Sequence, residues 1–160
     1  MTLVVDASAV VEFVLGSARG RNAAVVMAAH TALHAPALIT AEALGALRAL
    51  EPRAEISPAR SAEAVSDLLS VPLRRYPTEP LAQRIWSTRH SVTVYDAHYV
   101  ALAEALNAPL LTGDRRLAAA AGELVEIQLT LRHPGAAGPK ACPTAGLWTI
   151  GTTPPVDGTP

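Results

Sequence analysis

The stretch Leu3-Val4-Val5-Asp6-Ala7-Ser8-Ala9 sets the architecture. Leu3, Val4 and Val5 are apolar without alternation, as in a strand covered on both faces rather than one with a wet side. An acid, Asp6, ends the run, and small residues follow that suit a tightly packed helix. Strands buried on both faces belong to parallel sheets flanked by helices. In such sheets, ligands bind outside the carboxyl ends of the strands, where Asp6 stands.

The rest of the chain extends this pattern. Residues 6–15 read as a helix with Asp6 or Ser8 as N-cap, and 21–29 as a second helical stretch. Residues 36–50 read as an amphipathic helix with Pro36 in a tolerated first-turn position, stopped by Pro52. Ser57 caps a helix running from 58 to about 69. A short strand over 71–76 and a helix over 79–88 follow, and Thr93 caps a helix over 94–106. The spacing then predicts a strand over 109–112, a short helix over 114–120 and a last strand over 124–129. Strands alternating with helices give an α/β fold with a parallel sheet covered on both sides.

The 160 residues are enough for one domain with a real core. Half are hydrophobic and 17% are charged, as in a globular body; with aromatics at only 4%, Ala, Leu and Val must fill that core. A net charge of −1 excludes a simple basic, charge-driven nucleic-acid binder but leaves room for a local basic patch. Twelve of the thirteen basic residues are Arg, the type suited to bidentate phosphate contacts. A single cysteine, Cys142, excludes an intrachain disulfide and a thiolate zinc cluster. The amino terminus carries no basic, cleavable leader, and no apolar run reaches the ~18 residues of a membrane span. A cytoplasmic protein is the expectation. Residues 133–160 hold six of the thirteen prolines and five of the ten glycines without periodicity, and read as an unstructured tail.

Four acids sit in apolar surroundings: Asp6, Glu42 within 35–50, Asp96 after Val92-Thr93-Val94-Tyr95, and Asp114 after Leu110-Leu111-Thr112-Gly113. Asp6 and Asp114 can cap the helices that follow them. Thr93 and Asp96 form a capping-box pattern. Glu42, read as mid-helix, is not a cap, and its bland alternative is a half-exposed surface group. Two carboxylates ~4 Å apart repel by about 4 kcal/mol at an effective dielectric of 20. Three or four together require protons or cations. All-oxygen ligand sets select Mg²⁺ or Mn²⁺ over Zn²⁺, and Mg²⁺ commonly also takes phosphate oxygens. That combination describes metal-assisted phosphoester hydrolysis. Other acid-based chemistries lack their parts. Position 8 is Ser8 where an aspartyl-phosphate phosphatase needs a second Asp. The one Lys, Lys140, lies outside the folded body. No Gly-rich phosphate loop is present.

Four segments together resemble the signature of PIN-domain ribonucleases, most of all the VapC toxins of bacterial toxin–antitoxin pairs. They are Val4-Val5-Asp6-Ala7-Ser8-Ala9, Ala41-Glu42, Val94-Tyr95-Asp96-Ala97-His98-Tyr99-Val100-Ala101-Leu102-Ala103 and Leu111-Thr112-Gly113-Asp114-Arg115-Arg116-Leu117. The resemblance covers roughly residues 1–130, leaving 131–160 as a Pro/Gly-rich tail without counterpart. It implies a three-layer α/β/α sandwich with a central parallel sheet and Mg²⁺-dependent cleavage of RNA, with Mn²⁺ able to substitute. Asp6, Glu42, Asp96 and Asp114 would hold the metal, with Ser8 and Thr112 orienting acids or touching phosphate. A VapB-like antitoxin and a homodimer are the implied partners. Cleavage would leave 5′-phosphate and 3′-hydroxyl ends, with tRNA or rRNA loops as the expected target class. Arg19, Arg21, Arg84, Arg89, Arg115 and Arg116 are candidates to grip the backbone. Two alternatives stay open: a catalytically silent PIN-like protein that binds RNA or an antitoxin, and a metal-dependent hydrolase of another phosphate substrate.

Overall fold

The computed structural model describes residues 1–130; the tail expected at 131–160 lies outside the described residues. Along the chain run β1 (Thr2–Val5), α1 (Ala7–Leu15), α2 (Ala18–Ala28), β2 (Ala32–Pro36), α3 (Ile39–Leu50), α4 (Pro58–Ser70) and β3 (Leu73–Tyr76). A 3-10 turn (Glu79–Leu81) leads into α5 (Ala82–Ser87), followed by α6 (Val94–Leu106), β4 (Leu110–Thr112), α7 (Arg115–Ala121) and β5 (Ile127–Leu129). The five strands form one sheet in the order β3-β2-β1-β4-β5, and every neighbouring pair is parallel. Helices flank this sheet as the sequence leads one to expect.

The apolar run at the amino terminus is the centre of the molecule. Leu3, Val4 and Val5 are each 0% exposed. β1 pairs with β2 on one side, Leu3 opposite Leu33, and with β4 on the other, Val5 opposite Leu111. Burial of a Val or Leu side chain contributes about 1.5–3 kcal/mol, so this strand carries much of the core. With few aromatics, close backbone approach replaces bulk. A Cβ on Gly20 would lie 1.9 Å from the backbone oxygen of Glu12, so α2 can pack on α1 only with glycine there.

One strand is missing from the sequence reading. Residues 32–35, given no element by the sequence, together with Pro36, expected to open a helix, form β2, inserted between β1 and β3. Ala32-Leu33-His34-Ala35-Pro36 has no β-branched residue and carries little strand propensity. It is extended because its two neighbours offer hydrogen-bonding edges. Pro36 closes the strand opposite Tyr76 instead of opening a helix, and α3 starts three residues later, at Ile39. Other boundaries move less. α2 begins at Ala18 under a Ser17 cap, β3 and β5 are shorter than expected, and the 79–88 helix is split into a 3-10 turn and α5.

Sheet order reverses direction between β1 and β4, because the chain goes from β1 out to β3 before returning to β4. A crevice opens outside the carboxyl ends of strands at such a reversal. Asp6 follows β1, and Gly113 and Asp114 follow β4, so both strand ends deliver acids to this point.

Candidate active site

All four sequence-selected acids lie at the amino-terminal ends of helices. Asp6 is the N-cap of α1 and Asp114 the N-cap of α7. Asp96 lies in the first turn of α6, where its backbone N–H donates to Thr93 Oγ1 at 3.2 Å and its Oδ2 accepts from that hydroxyl at 2.7 Å. Glu42 lies in the first turn of α3, not mid-helix, because Pro36 belongs to β2 and residues 37–38 form a turn, so the helix expected from residue 36 starts at Ile39. Capping and site membership are therefore not rivals. A parallel α/β sheet aims helix amino termini at the edge where its strands end, and their partial positive charge favours acids there.

Asp6 is the buried centre, 6% exposed. Its Oδ2 accepts from Ser8 Oγ, from the Ser8 N–H at 3.3 Å and from Thr112 Oγ1 at 2.8 Å. The two hydroxyls are themselves fixed by the β4–α7 turn. Ser8 Oγ accepts from the Gly113 N–H at 2.8 Å, and Thr112 Oγ1 from the Asp114 N–H at 2.9 Å. Thr112 is 0% exposed, so no water replaces these bonds. Ser8 and Thr112 thus tie the end of β1 to the end of β4 and fix the Asp6 carboxylate, while its Oδ1 accepts no bond from a side chain. Gly113 allows the approach: a Cβ there would stand 3.2 Å from Ser8 Oγ and 3.1 Å from Thr130 Oγ1.

Burial pushes the Asp6 carboxyl above the usual carboxylate range, although the Ser8 and Thr112 hydrogen bonds pull the other way. Glu42 is also raised. Desolvation is the main cause, and the charges of Asp6 and Asp96 add to it, while the Tyr99 hydrogen bond and His98 oppose it. Glu42 therefore lies within the field of both Asp6 and Asp96. Asp114 stands apart. It is exposed, and its Oδ1 accepts from the Arg116 and Leu117 N–H groups at 2.7 and 3.4 Å. It is linked to the others through Thr112 rather than by direct carboxylate proximity.

Tyr99 was not singled out from the sequence. It is 1% exposed and donates its hydroxyl hydrogen to Glu42 Oε2 at 2.5 Å, and burial with the Glu42 bond keeps its phenol protonated far beyond the normal range. Its signal was an aromatic one turn after Asp96, on the same helix. His98, which showed no clear spacing relation to the acids, lies close enough to act on Glu42.

Among the described residues, none of these four acids forms a salt bridge. The ion pairs join Arg19–Glu12, Arg53–Glu55, Arg60–Glu63, Arg60–Asp67 and Arg84–Glu104. The same pairs sort the candidate phosphate-gripping residues. Arg19 and Arg84 are engaged by acids, Arg21 donates to the Gly16 carbonyl, and Arg89 donates to the Trp86 carbonyl and stacks on its ring. Arg115 and Arg116, beside Asp114, are exposed and have no such partner among the described residues. No three His, Cys, Asp or Glu side chains among the described residues stand close enough together to hold a metal ion as they are. The donor chemistry nonetheless fits a hard cation: Asp6, Glu42 and Asp96 each bond a hydroxyl, and none pairs with an arginine among the described residues. A recess of about 180 Å³ lined by Glu104, Asn107, Pro109 and Glu126 lies at the opposite strand ends, away from these acids.

A PIN domain family model matches residues 3–123, and the chain belongs to the PIN-domain family. The ribonuclease VapC12 of Mycobacterium tuberculosis is 42% identical over 127 residues, 79% of this chain and 98% of the relative. VapC1 of the same organism is 46% identical over 129 residues, 79% and 96% of the two chains. Within the PIN family the chain therefore groups with the VapC ribonucleases. The solved structure of M. tuberculosis VapC20, described as a Sarcin-Ricin loop cleaving toxin, aligns with a TM-score of 0.54 at 20% identity, covering 74% of this chain and 94% of that one. The likeness bears out the PIN-like layered fold with its central parallel sheet.

Proposed function

We propose that the chain is the toxin of a toxin–antitoxin pair, an endoribonuclease that cleaves RNA with Mg²⁺, or Mn²⁺ in its place, bound at Asp6, Glu42, Asp96 and Asp114. The observation that carries this reading is that Asp6 and Asp96 act on Glu42 as like charges, while none of the four acids forms an ion pair with an arginine among the described residues. Such a set stands in deficit of positive charge, and a hard dication supplies it. The cation offers Lewis-acid stabilisation of a phosphate oxygen and an activated water.

The protein's own groups do the rest. Ser8 and Thr112 hold the Asp6 carboxylate in one orientation before the cation arrives, which lowers the reorganisation needed on binding. Tyr99 does the same for Glu42, and Thr93 for Asp96. Asp6 and Glu42, both raised above the usual carboxylate range, would have to be deprotonated to hold the cation, so their affinity for it would rise with pH. Arg115 and Arg116, unpaired at the start of α7, are placed to meet substrate phosphates beside Asp114. Asp114 then serves as the outermost ligand and as the cap that positions those arginines.

On this reading the substrate is a loop of structured RNA, as the description of VapC20 as a Sarcin-Ricin loop cleaving toxin supports, the inhibitor is a VapB-like antitoxin, and the working form is a homodimer. No helix among the described residues is long and apolar enough to cross a membrane, in keeping with action in the cytoplasm. The test is cleavage of a structured RNA with and without EDTA, comparing wild type with Asp6→Asn. Loss of cleavage in EDTA and in the variant supports the reading. An Asp6→Asn protein that cuts as well as wild type refutes it, and RNA binding without cleavage in Mn²⁺ identifies a silent PIN-like binder instead.

A further inference from the structure

Tyr95 is 65% exposed, yet it immediately precedes Asp96 in the first turn of α6. Residues four apart lie on one helix face, with Cβ atoms about 5–6 Å apart. Tyr95 therefore stands one turn outward from Tyr99, on the face from which the Tyr99 hydroxyl reaches Glu42. Side chains on a helix lean toward its amino terminus, and the amino terminus of α6 is the end that meets the acids. The ring of Tyr95 thus belongs to the rim of the acidic crevice. It engages no hydrogen bond, aromatic ring or arginine stack among the described residues, and Val94 beside it is 46% exposed. Trp86, also strongly exposed, has one face covered by Arg89 at 4.9 Å. An open aromatic face bordering a phosphodiester-cleaving pocket has a natural occupant in an unstacked nucleobase, since every base offers a π face and stacking tolerates sequence.

We propose that Tyr95 is a substrate-positioning residue that stacks on a base next to the scissile phosphate and so holds a single-stranded loop open across the acids. This rests on the ribonuclease reading above. Hydrophobic and π contact with the base supply the attraction; the phenolic hydroxyl is dispensable.

The test has two readouts. A fluorescently labelled single-stranded RNA of about eight nucleotides, within the ~4–16 nucleotides that such surfaces engage, is titrated into Asp6→Asn protein with Tyr95, Tyr95→Ala or Tyr95→Phe. Affinity falls roughly five- to a hundredfold with Ala, the range for loss of one stacked base, and is kept within about twofold by Phe. In the otherwise wild-type enzyme, Tyr95→Ala raises KM while kcat at saturating RNA stays near wild type. Thermal unfolding of Tyr95→Ala matches the parent, because the ring is exposed. Unchanged affinity with Ala overturns the proposal, as does an equal loss with Phe, which makes the hydroxyl the active part. Loss of self-association with RNA binding intact assigns Tyr95 to a protein interface and also overturns it. Residual cleavage by Tyr95→Ala shows the nuclease intact, so failure here is distinct from failure of the ribonuclease reading.

Discussion

Replacing Thr112 by Val isolates the tie between β1 and β4. The two side chains have nearly the same shape, so packing is preserved and only the hydroxyl is lost. That hydroxyl donates to Asp6 Oδ2 at 2.8 Å and accepts from the Asp114 N–H at 2.9 Å, at a residue that is 0% exposed. A hydrogen bond to a charged group contributes about 1.5–3 kcal/mol, and a buried donor left unpaired costs about 1–3 kcal/mol. The two losses share one atom and do not add fully, which gives about 2–4 kcal/mol in total. Against a domain stability of about 5–15 kcal/mol this is a large fraction. Urea unfolding measures it: at a slope of about 2 kcal/mol/M, the midpoint falls by about 1–2 M. Thr112→Ser is the control. It keeps the hydroxyl, loses one methyl and costs only about 1 kcal/mol. Activity should shift too. The Thr112 bond lowers the proton affinity of Asp6, so Thr112→Val moves the rise of cleavage with pH to higher pH, and Thr112→Ser does not. A valine variant at least as stable as the serine variant would refute the reasoning, because the hydroxyl would then have no role in joining the strands.

Asp6 and Glu42 are both raised above the ordinary carboxylate range, so without a cation the folded state keeps protons that the unfolded chain releases. Their contribution to stability therefore falls as pH rises from about 4 through the raised values, and is flat below that window; the stability difference between wild type and Asp6→Asn, followed by urea unfolding across pH, should widen in favour of the variant, and a difference independent of pH contradicts the linkage. Added Mn²⁺ should raise the Tm of wild type with concentration and leave Asp6→Asn nearly unmoved; equal shifts in both would place the cation elsewhere. Gly20→Ala should destabilise by about 3 kcal/mol or more through overpacking of α1 against α2, since its Cβ would meet the Glu12 carbonyl oxygen at 1.9 Å; calorimetry showing an unchanged Tm would mean that the two helices can separate freely. Arg84→Ala should cost under about 1 kcal/mol, because its pair with Glu104 lies at the surface.

The amino-acid order alone carried the layered parallel fold, through the non-alternating Leu3-Val4-Val5 run and the regular return of helix caps at Asp6, Ser57, Thr93 and Asp114. It also marked out the four acids as candidates, by their apolar neighbours along the chain, although Asp114 proves exposed in the folded protein. It could not carry β2. Ala32–Pro36 has little preference for extension and becomes a strand only because β1 and β3 flank it. Nor could it carry the helix-end position of Glu42, which follows from β2 ending at Pro36. Tyr99 meeting Glu42, and Ser8 and Thr112 meeting on one oxygen of Asp6, join residues 57 and more than 100 positions apart or separate strand ends. Local sequence encodes propensity over a few residues. Which distant side chains share a crevice depends on where the strand order reverses, and only the assembled sheet sets that.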